Sequence, residues 1–198
     1  MKNNISNLKV LLIFLISFIF YTNILFSKEL NLKAIEVLTF EEGNLIVGKN
    51  EVEAEIENEI KIFADEVTYD KKINEIIAEG NVKALDLINN TEISSEKMIF
   101  YKDKQQIISF DETFFDIDKK ITGKSSDVFF DISNKIIKSD NSSNFKDNFN
   151  NIIESSSFKY FNNSELLKAN NIELTDEKKN KYFIKKGFLK LKNNFLIG

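Results

Sequence analysis

The chain contains no cysteine, histidine, proline, tryptophan or arginine. Without cysteine there is no disulfide framework and no thiolate nucleophile. Without cysteine and histidine the usual zinc ligands are missing, and so is the commonest general base. Ser-His-Asp and Cys-His catalysis are excluded outright. All 27 basic groups are lysine and are outnumbered by 31 acids, for a net charge of −4. An acidic chain with no arginine lacks the bidentate base reader of nucleic-acid-binding proteins, so no nucleic-acid partner is expected. What is plentiful is hydrophobic: 42% of the chain, including 19 phenylalanines. That is enough to bury a core, and 198 residues suit one domain.

The N-terminus reads as an export signal. Lys2 and Lys9 precede an apolar run over residues 10–20, a polar break at Tyr21-Thr22-Asn23, and Ile24-Leu25-Phe26 before Ser27. A basic segment, a short apolar segment and a small residue are the parts of a secretory signal peptide, here residues 1–27. The apolar run is shorter than a membrane-spanning helix needs, although a retained anchor is the alternative. Cleavage after Ser27 leaves a domain over 28–198 and removes two lysines, taking the net charge to −6.

The rest repeats itself. Val67-Thr68-Tyr69-Asp70, Met98-Ile99-Phe100-Tyr101, Val128-Phe129-Phe130-Asp131 and Phe158-Lys159-Tyr160-Phe161 begin 30 or 31 residues apart. Small or acidic residues precede each: Ala64-Asp65-Glu66, Ser95-Glu96-Lys97, Ser125-Ser126-Asp127, Ser155-Ser156-Ser157. A second apolar element follows each, starting at Ile76, Ile107, Ile136 and Leu166. Partial units flank the array, one over 45–52 and others at Phe188 and Phe195. A fixed period of this size marks stacked supersecondary units.

Alternation of period two makes the units strands. Val67 and Tyr69 share one face, and Ile76, Ala78, Gly80, Val82 and Ala84 another, with polar neighbours between. Polar connections such as Asp70-Lys71-Lys72 suit hairpin turns. Residues 51–60 show some helical periodicity but are read as strand, because a helix there breaks the repeat. Residues 139–151, rich in Asn, Ser and Asp, are expected to form a long mobile loop. Hairpins that are apolar on one face must bury it, so the fold is predicted to be all-β, with two curved sheets facing each other.

The run Ala64-Asp65-Glu66-Val67-Thr68-Tyr69-Asp70, followed by Ile77-Ala78-Glu79-Gly80-Asn81-Val82, resembles the A-D-x-V-x-Y … A-x-G-N-V signature of the OstA-like family. This family comprises the lipopolysaccharide-transport proteins LptA and LptC and the N-terminal periplasmic domain of LptD. The repeat extends the resemblance from about residue 37 to the end. It implies an open V-shaped β-jelly roll of antiparallel hairpins, non-catalytic and without cofactor, whose apolar groove passes lipid A acyl chains across the periplasm to the outer membrane. On this resemblance Val67, Tyr69, Ile76, Ala78, Val82, Met98, Phe100, Val128, Phe130, Phe158 and Tyr160 would line the groove. Lipopolysaccharide would be the ligand. The partners would be other OstA-like domains, joined by edge-strand pairing, and an outer-membrane barrel or lipoprotein. Within the family the expectation is an LptD N-terminal domain, with a free-standing LptA-like carrier second.

Blander readings stand beside these. Strand-facing Phe and Tyr can be ordinary core, which makes a closed-core envelope scaffold or adhesion module the alternative function. Asp65-Glu66, Asp111-Glu112, Asp116 and Asp118 admit a glycosidase pair or a calcium site on paper, but strand neighbours diverge and no calcium-loop pattern is present. The pairs Lys71-Lys72, Lys119-Lys120, Lys178-Lys179 and Lys185-Lys186 are expected in solvated turns.

Overall fold

A computed structural model describes residues 30–190 and 195–197. The expected signal peptide lies outside the described residues. The chain is all-β: β1 (Leu30–Lys33), β2 (Glu36–Phe40), β3 (Leu45–Ile56), β4 (Ile60–Asp70), β5 (Glu75–Asp86), β6 (Thr91–Tyr101), β7 (Gln106–Phe110), β8 (Glu112–Ile117), β9 (Ile121–Ser126), β10 (Phe129–Asp131), β11 (Ile136–Ser139), β12 (Ser143–Asp147), β13 (Ile152–Ser155), β14 (Ser157–Phe161), β15 (Leu166–Thr175), β16 (Lys181–Lys190) and β17 (Phe195–Ile197). All pairings are antiparallel, and the strands form one sheet folded along its middle into two layers, a jelly-roll-like architecture.

The fold line crosses the long strands. Pairing slips between Lys49 and Val52, between Phe63 and Glu66, and between Glu79 and Val82. Such bulges bend a strand and increase its twist. Layer A holds β2, the N-terminal half of β3, the C-terminal half of β4, and so on through β7, β10, β11, β14 and β17. Layer B holds β1, the other halves of the long strands, and β8, β9, β12 and β13. Between β7 and β14 the long strands are replaced by pairs of short ones, with the hinge continuing between them, and β15 and β16 again cross both layers.

The family-like motif is the hinge itself. Gly80 has φ +78 and Asn81 has φ +49, the conformation that turns β5 from one layer to the other. A side chain on Gly80 would run into the Asp65 carboxylate of the neighbouring strand. Asn81 Nδ2 donates to Asp65 Oδ2 at 2.9 Å. Similar bonds recur down the line: Asn141 Nδ2 donates to Asp127 Oδ2 at 3.0 Å, and Asn171 Nδ2 to Ser156 Oγ at 3.0 Å. The small residues preceding each aromatic element, Ala64, Ser95, Ser125 and Ser155, all lie buried at this hinge.

Hairpins at the far ends of the strands use left-handed residues other than glycine. Gln105, Lys135 and Glu165 have φ 50, 55 and 50, and each amide bonds the carbonyl three residues earlier. This is the tight turn plus left-handed residue of a short β-hairpin loop. Residues 51–60 are strand, turn and strand, as read from the sequence. Residues 139–151 are not a long loop. They contain β12, which pairs on both sides, with β9 and β13. Phe145 on that strand is 1% exposed, so burial overrides the polar composition around it.

Candidate functional site

The inner face of layer A carries a row in which each residue pairs across to the next: Ile46, Tyr69, Ile76, Phe100, Ile107, Phe130, Ile137, Tyr160, Leu167, Leu189. It crosses ten strands and runs roughly 43 Å at about 4.8 Å per strand. From Tyr69 to Leu167 it alternates aromatic and aliphatic, which is the thirty-residue repeat seen end on. A second inner row, nearer the hinge, includes Val67, Ala78 and Met98, and further along Phe158 opposite Ala169.

The structure brings together all eleven residues singled out in the sequence. Ten lie on or beside the inner face of layer A; Val82 sits at the hinge on the layer B side. None is more than 5% exposed. What sequence reasoning missed is the facing wall. On layer B, Ala54, Ile62, Ala84, Ile93, Phe115, Gly123, Phe145 and Ile153 form the matching row. Part of its signal was present: Phe115 and Phe145 are thirty residues apart, and Phe145 stands between the polar Asn144 and Lys146.

The two walls touch. Phe158 of layer A meets Phe145 and Phe115 of layer B, with ring centroids at 4.7 and 5.5 Å. Gly123 lies between Phe115 and Phe145 in register, and an added side chain there would press on the Phe115 ring. The Phe115 and Phe145 rings are tilted against each other, with centroids 5.7 Å apart.

Polar groups border the apolar band on both sides. At the hinge, Ser95, Ser109, Thr113, Ser125, Ser143 and Ser155 are all buried. Ser109 Oγ bonds Thr113 Oγ1 at 2.7 Å, and Ser125 Oγ bonds Ser143 Oγ at 2.8 Å. Ser155 Oγ has no partner among the described residues. At the mouth, Lys102 is buried with its Nζ 4.7 Å from the Tyr69 ring centre, donating to Tyr69 Oη at 2.9 Å. Tyr69 in turn donates to Asn74 Oδ1 at 3.1 Å.

One contact ties the layers together across the mouth. Lys120, in the β8–β9 turn of layer B, pairs with Asp118 at 2.6 Å and with Glu165, in the β14–β15 turn of layer A, at 3.0 Å. Hydrogen bonds to these two carboxylates raise the Lys120 ammonium above its ordinary range. The bond from Lys120 in turn lowers Asp118. Near them Tyr160 Oη is buried without a partner among the described residues. Burial, with Glu165 and Asp118 adding to it against Lys120, pushes that phenol up to about 12. Lys120 is therefore not a free solvated turn residue. Nor does Lys185-Lys186 lie in a turn, since both residues are inside β16.

Most of the carboxylates considered as acids are committed to local structure. Asp65 holds the hinge, and Asp116 accepts from the Lys119 amide at 2.9 Å. Among the described residues no group of three or more acidic side chains is placed to hold a metal. A polar cavity of about 530 Å³, lined by Lys124, Ser126, Ser142, Asn144 and Glu154, opens at the hinge on the outer side of layer B. It lies away from the predicted apolar residues.

Neither a family model nor a curated protein matches the chain. Among solved structures it is similar to LptH of Pseudomonas aeruginosa, described as the LptA homologous periplasmic component of the conserved lipopolysaccharide transport device. The identity is 10%, the TM-score 0.44, and the match covers 79% of this chain and 94% of that one.

Proposed function

We propose that the chain is a non-catalytic carrier of lipid acyl chains in lipopolysaccharide transport, working in the periplasm on the route to the outer membrane. The observation that supports this reading is the inner row from Ile46 to Leu189, apolar across ten strands and set between polar borders. An acyl chain needs continuous apolar contact, roughly 0.8 kcal/mol per buried CH₂, and few hydrogen bonds. The eleven residues named from the sequence are the lining in this proposal. Because the walls touch, entry requires the layers to part at the mouth, where Lys120 bridges them, while the hinge stays intact. Among the described pairings β1, β2 and β17 each have a neighbour on one side only. Such edges accept further strands, so other OstA-like domains are the proposed partners, with an outer-membrane barrel or lipoprotein at the end of the route. An LptD-like domain or an LptA-like carrier fits this reading equally.

The contact between Phe158, Phe145 and Phe115 favours a second reading, a closed β-scaffold. One experiment separates the two. A photocrosslinking residue is placed at Phe100, on the inner face, and at its neighbour Ile99, on the outer face. A carrier gives lipopolysaccharide adducts in cells at position 100 well above those at 99. Crosslinks from position 100 confined to the chain's own layer B would establish the scaffold and end the carrier reading.

A further inference from the structure

On one part of the outside of layer A the charges are arranged unlike those on the rest of the sheet. Many outward lysines stand beside carboxylates: Lys61 by Glu53 and Glu55, Lys83 by Glu92, Lys97 by Glu79, Lys181 by Glu173. On β11, β14 and β15 the pattern breaks. Lys138, Lys159 and Lys168 stand directly opposite one another in register. Among the described residues none of the three has an ion-pair partner. Like charges in that arrangement repel and weaken an antiparallel pair.

Aromatic rings flank and separate these lysines. Phe129 and Phe188 continue the row at its two ends. Lys138 Nζ lies 4.8 Å from the Phe129 ring centre, Lys159 Nζ 5.0 Å from Phe161, and Lys168 Nζ 5.1 and 5.2 Å from Phe161 and Phe188. Lys186 joins them around a shallow depression of about 330 Å³, with Asp140 also on its lining. Phe188 is 37% exposed and its partner Ile197 is 53% exposed. This basic and aromatic face belongs to a chain whose net charge is −4.

We propose that this face docks on the headgroup surface of an anionic lipid bilayer. The three lysines stand on successive strands, so their row is about 10 Å long at roughly 4.8 Å per strand. That spacing suits a two-dimensional array of phosphates better than a single ion. Phosphates lying between the lysines would relieve the repulsion within the row. Phe188 and Ile197 supply apolar contact at the depth where long lysine stems lie along a surface with their charges in the headgroups. The proposal concerns the outside of layer A and does not depend on what the inside carries.

The chain has no tryptophan, so Phe188→Trp places a single reporter on the face. Full-length protein is mixed with phosphatidylglycerol vesicles and, separately, with phosphatidylcholine vesicles. The emission reads the face itself, whichever part of the chain first meets the vesicle. The expected result is a blue shift, with quenching by brominated lipid, on the anionic vesicles only and abolished by high salt. A matching reporter at Phe63→Trp, outside layer B, should stay unshifted. Adding K138Q, K159Q and K168Q to the Phe188→Trp protein should raise the anionic lipid needed by roughly 100-fold, about fivefold per lysine. Glutamine removes the mutual repulsion, so the fold is expected to hold. The salt response of the unsubstituted face gives an independent reading. No shift on anionic vesicles, an equal shift on neutral ones, or an unchanged titration in the triple variant overturns the proposal. A response to inorganic phosphate without one to vesicles also overturns it and makes the depression a small-anion site.

Discussion

Phe114 and Phe115 are adjacent, identical in type and opposite in direction. Phe114 faces outward and is 52% exposed, whereas Phe115 is 4% exposed and touches the rings of Phe145 and Phe158. Truncating a core phenylalanine to alanine costs about 3–5 kcal/mol, the transfer of the ring plus the cavity left behind. The two ring contacts, each worth roughly 0.5–1.5 kcal/mol, fall inside that total. Gly123 beside the ring has no side chain to move into the space, so relaxation is small and Phe115→Ala should fall in the upper half of the range. Phe114→Ala loses only a half-exposed ring and should cost under about 1 kcal/mol. At roughly 2–4 °C per kcal/mol for a domain of this size, a loss of about 4 kcal/mol lowers the melting temperature by about 8–16 °C. Urea unfolding monitored by circular dichroism measures both variants. The m-value should stay constant, because the same surface is exposed on unfolding. Equal midpoints for the two variants would mean that the layers do not touch in solution, and the ring cluster would have to be abandoned.

Two further outcomes follow from the mouth and the hinge. Tyr160 titrates at about 12 in the folded chain against 10.0 in the open, so between those values the folded state keeps a proton that the unfolded chain releases. Its contribution is therefore complete below pH about 10 and declines as pH rises towards about 12, by on the order of 2 kcal/mol. Tyr160→Phe should leave stability at pH 8 unchanged, because the hydroxyl has no partner, and should flatten the alkaline decline in urea midpoints; an identical decline in both proteins contradicts the burial argument. At the hinge, Gly80→Ala meets both a left-handed backbone and the Asp65 carboxylate, whereas Gly43→Ala meets only a left-handed backbone, with open space around it. Each should lose roughly 1–2 kcal/mol from the backbone alone, and Gly80→Ala measurably more in thermal melts. Equal losses would remove Asp65 from the hinge account.

The strands and one wall of the interior were legible because both depend on local alternation. Tyr69, Phe100, Phe130 and Tyr160 recur at the repeat length, and a period of two assigns them to one face. The fold line was not legible. It rests on left-handed residues such as Asn81 and Asn171, which look like any polar strand position, and on side chains such as Asp65 whose partner is sixteen residues away. Phe145 was hidden by its composition, since strand signals weaken where Asn, Ser and Asp crowd around a single buried ring. The lysine row was beyond local reading altogether. Lys138, Lys159 and Lys168 become neighbours only when register is known, and shifting any one strand by a residue would turn its lysine to the opposite face.

Because β3, β4, β5 and β6 each belong to both layers, neither layer can melt while the other persists. Loss of structure must instead travel sideways, one kinked ribbon at a time, from whichever end is the weaker, as in a linear array of coupled units. Adding or deleting one whole thirty-residue period would then lengthen or shorten the molecule without redrawing its cross-section. Cutting at half a period would strand one arm of a bent ribbon with nothing to lie against.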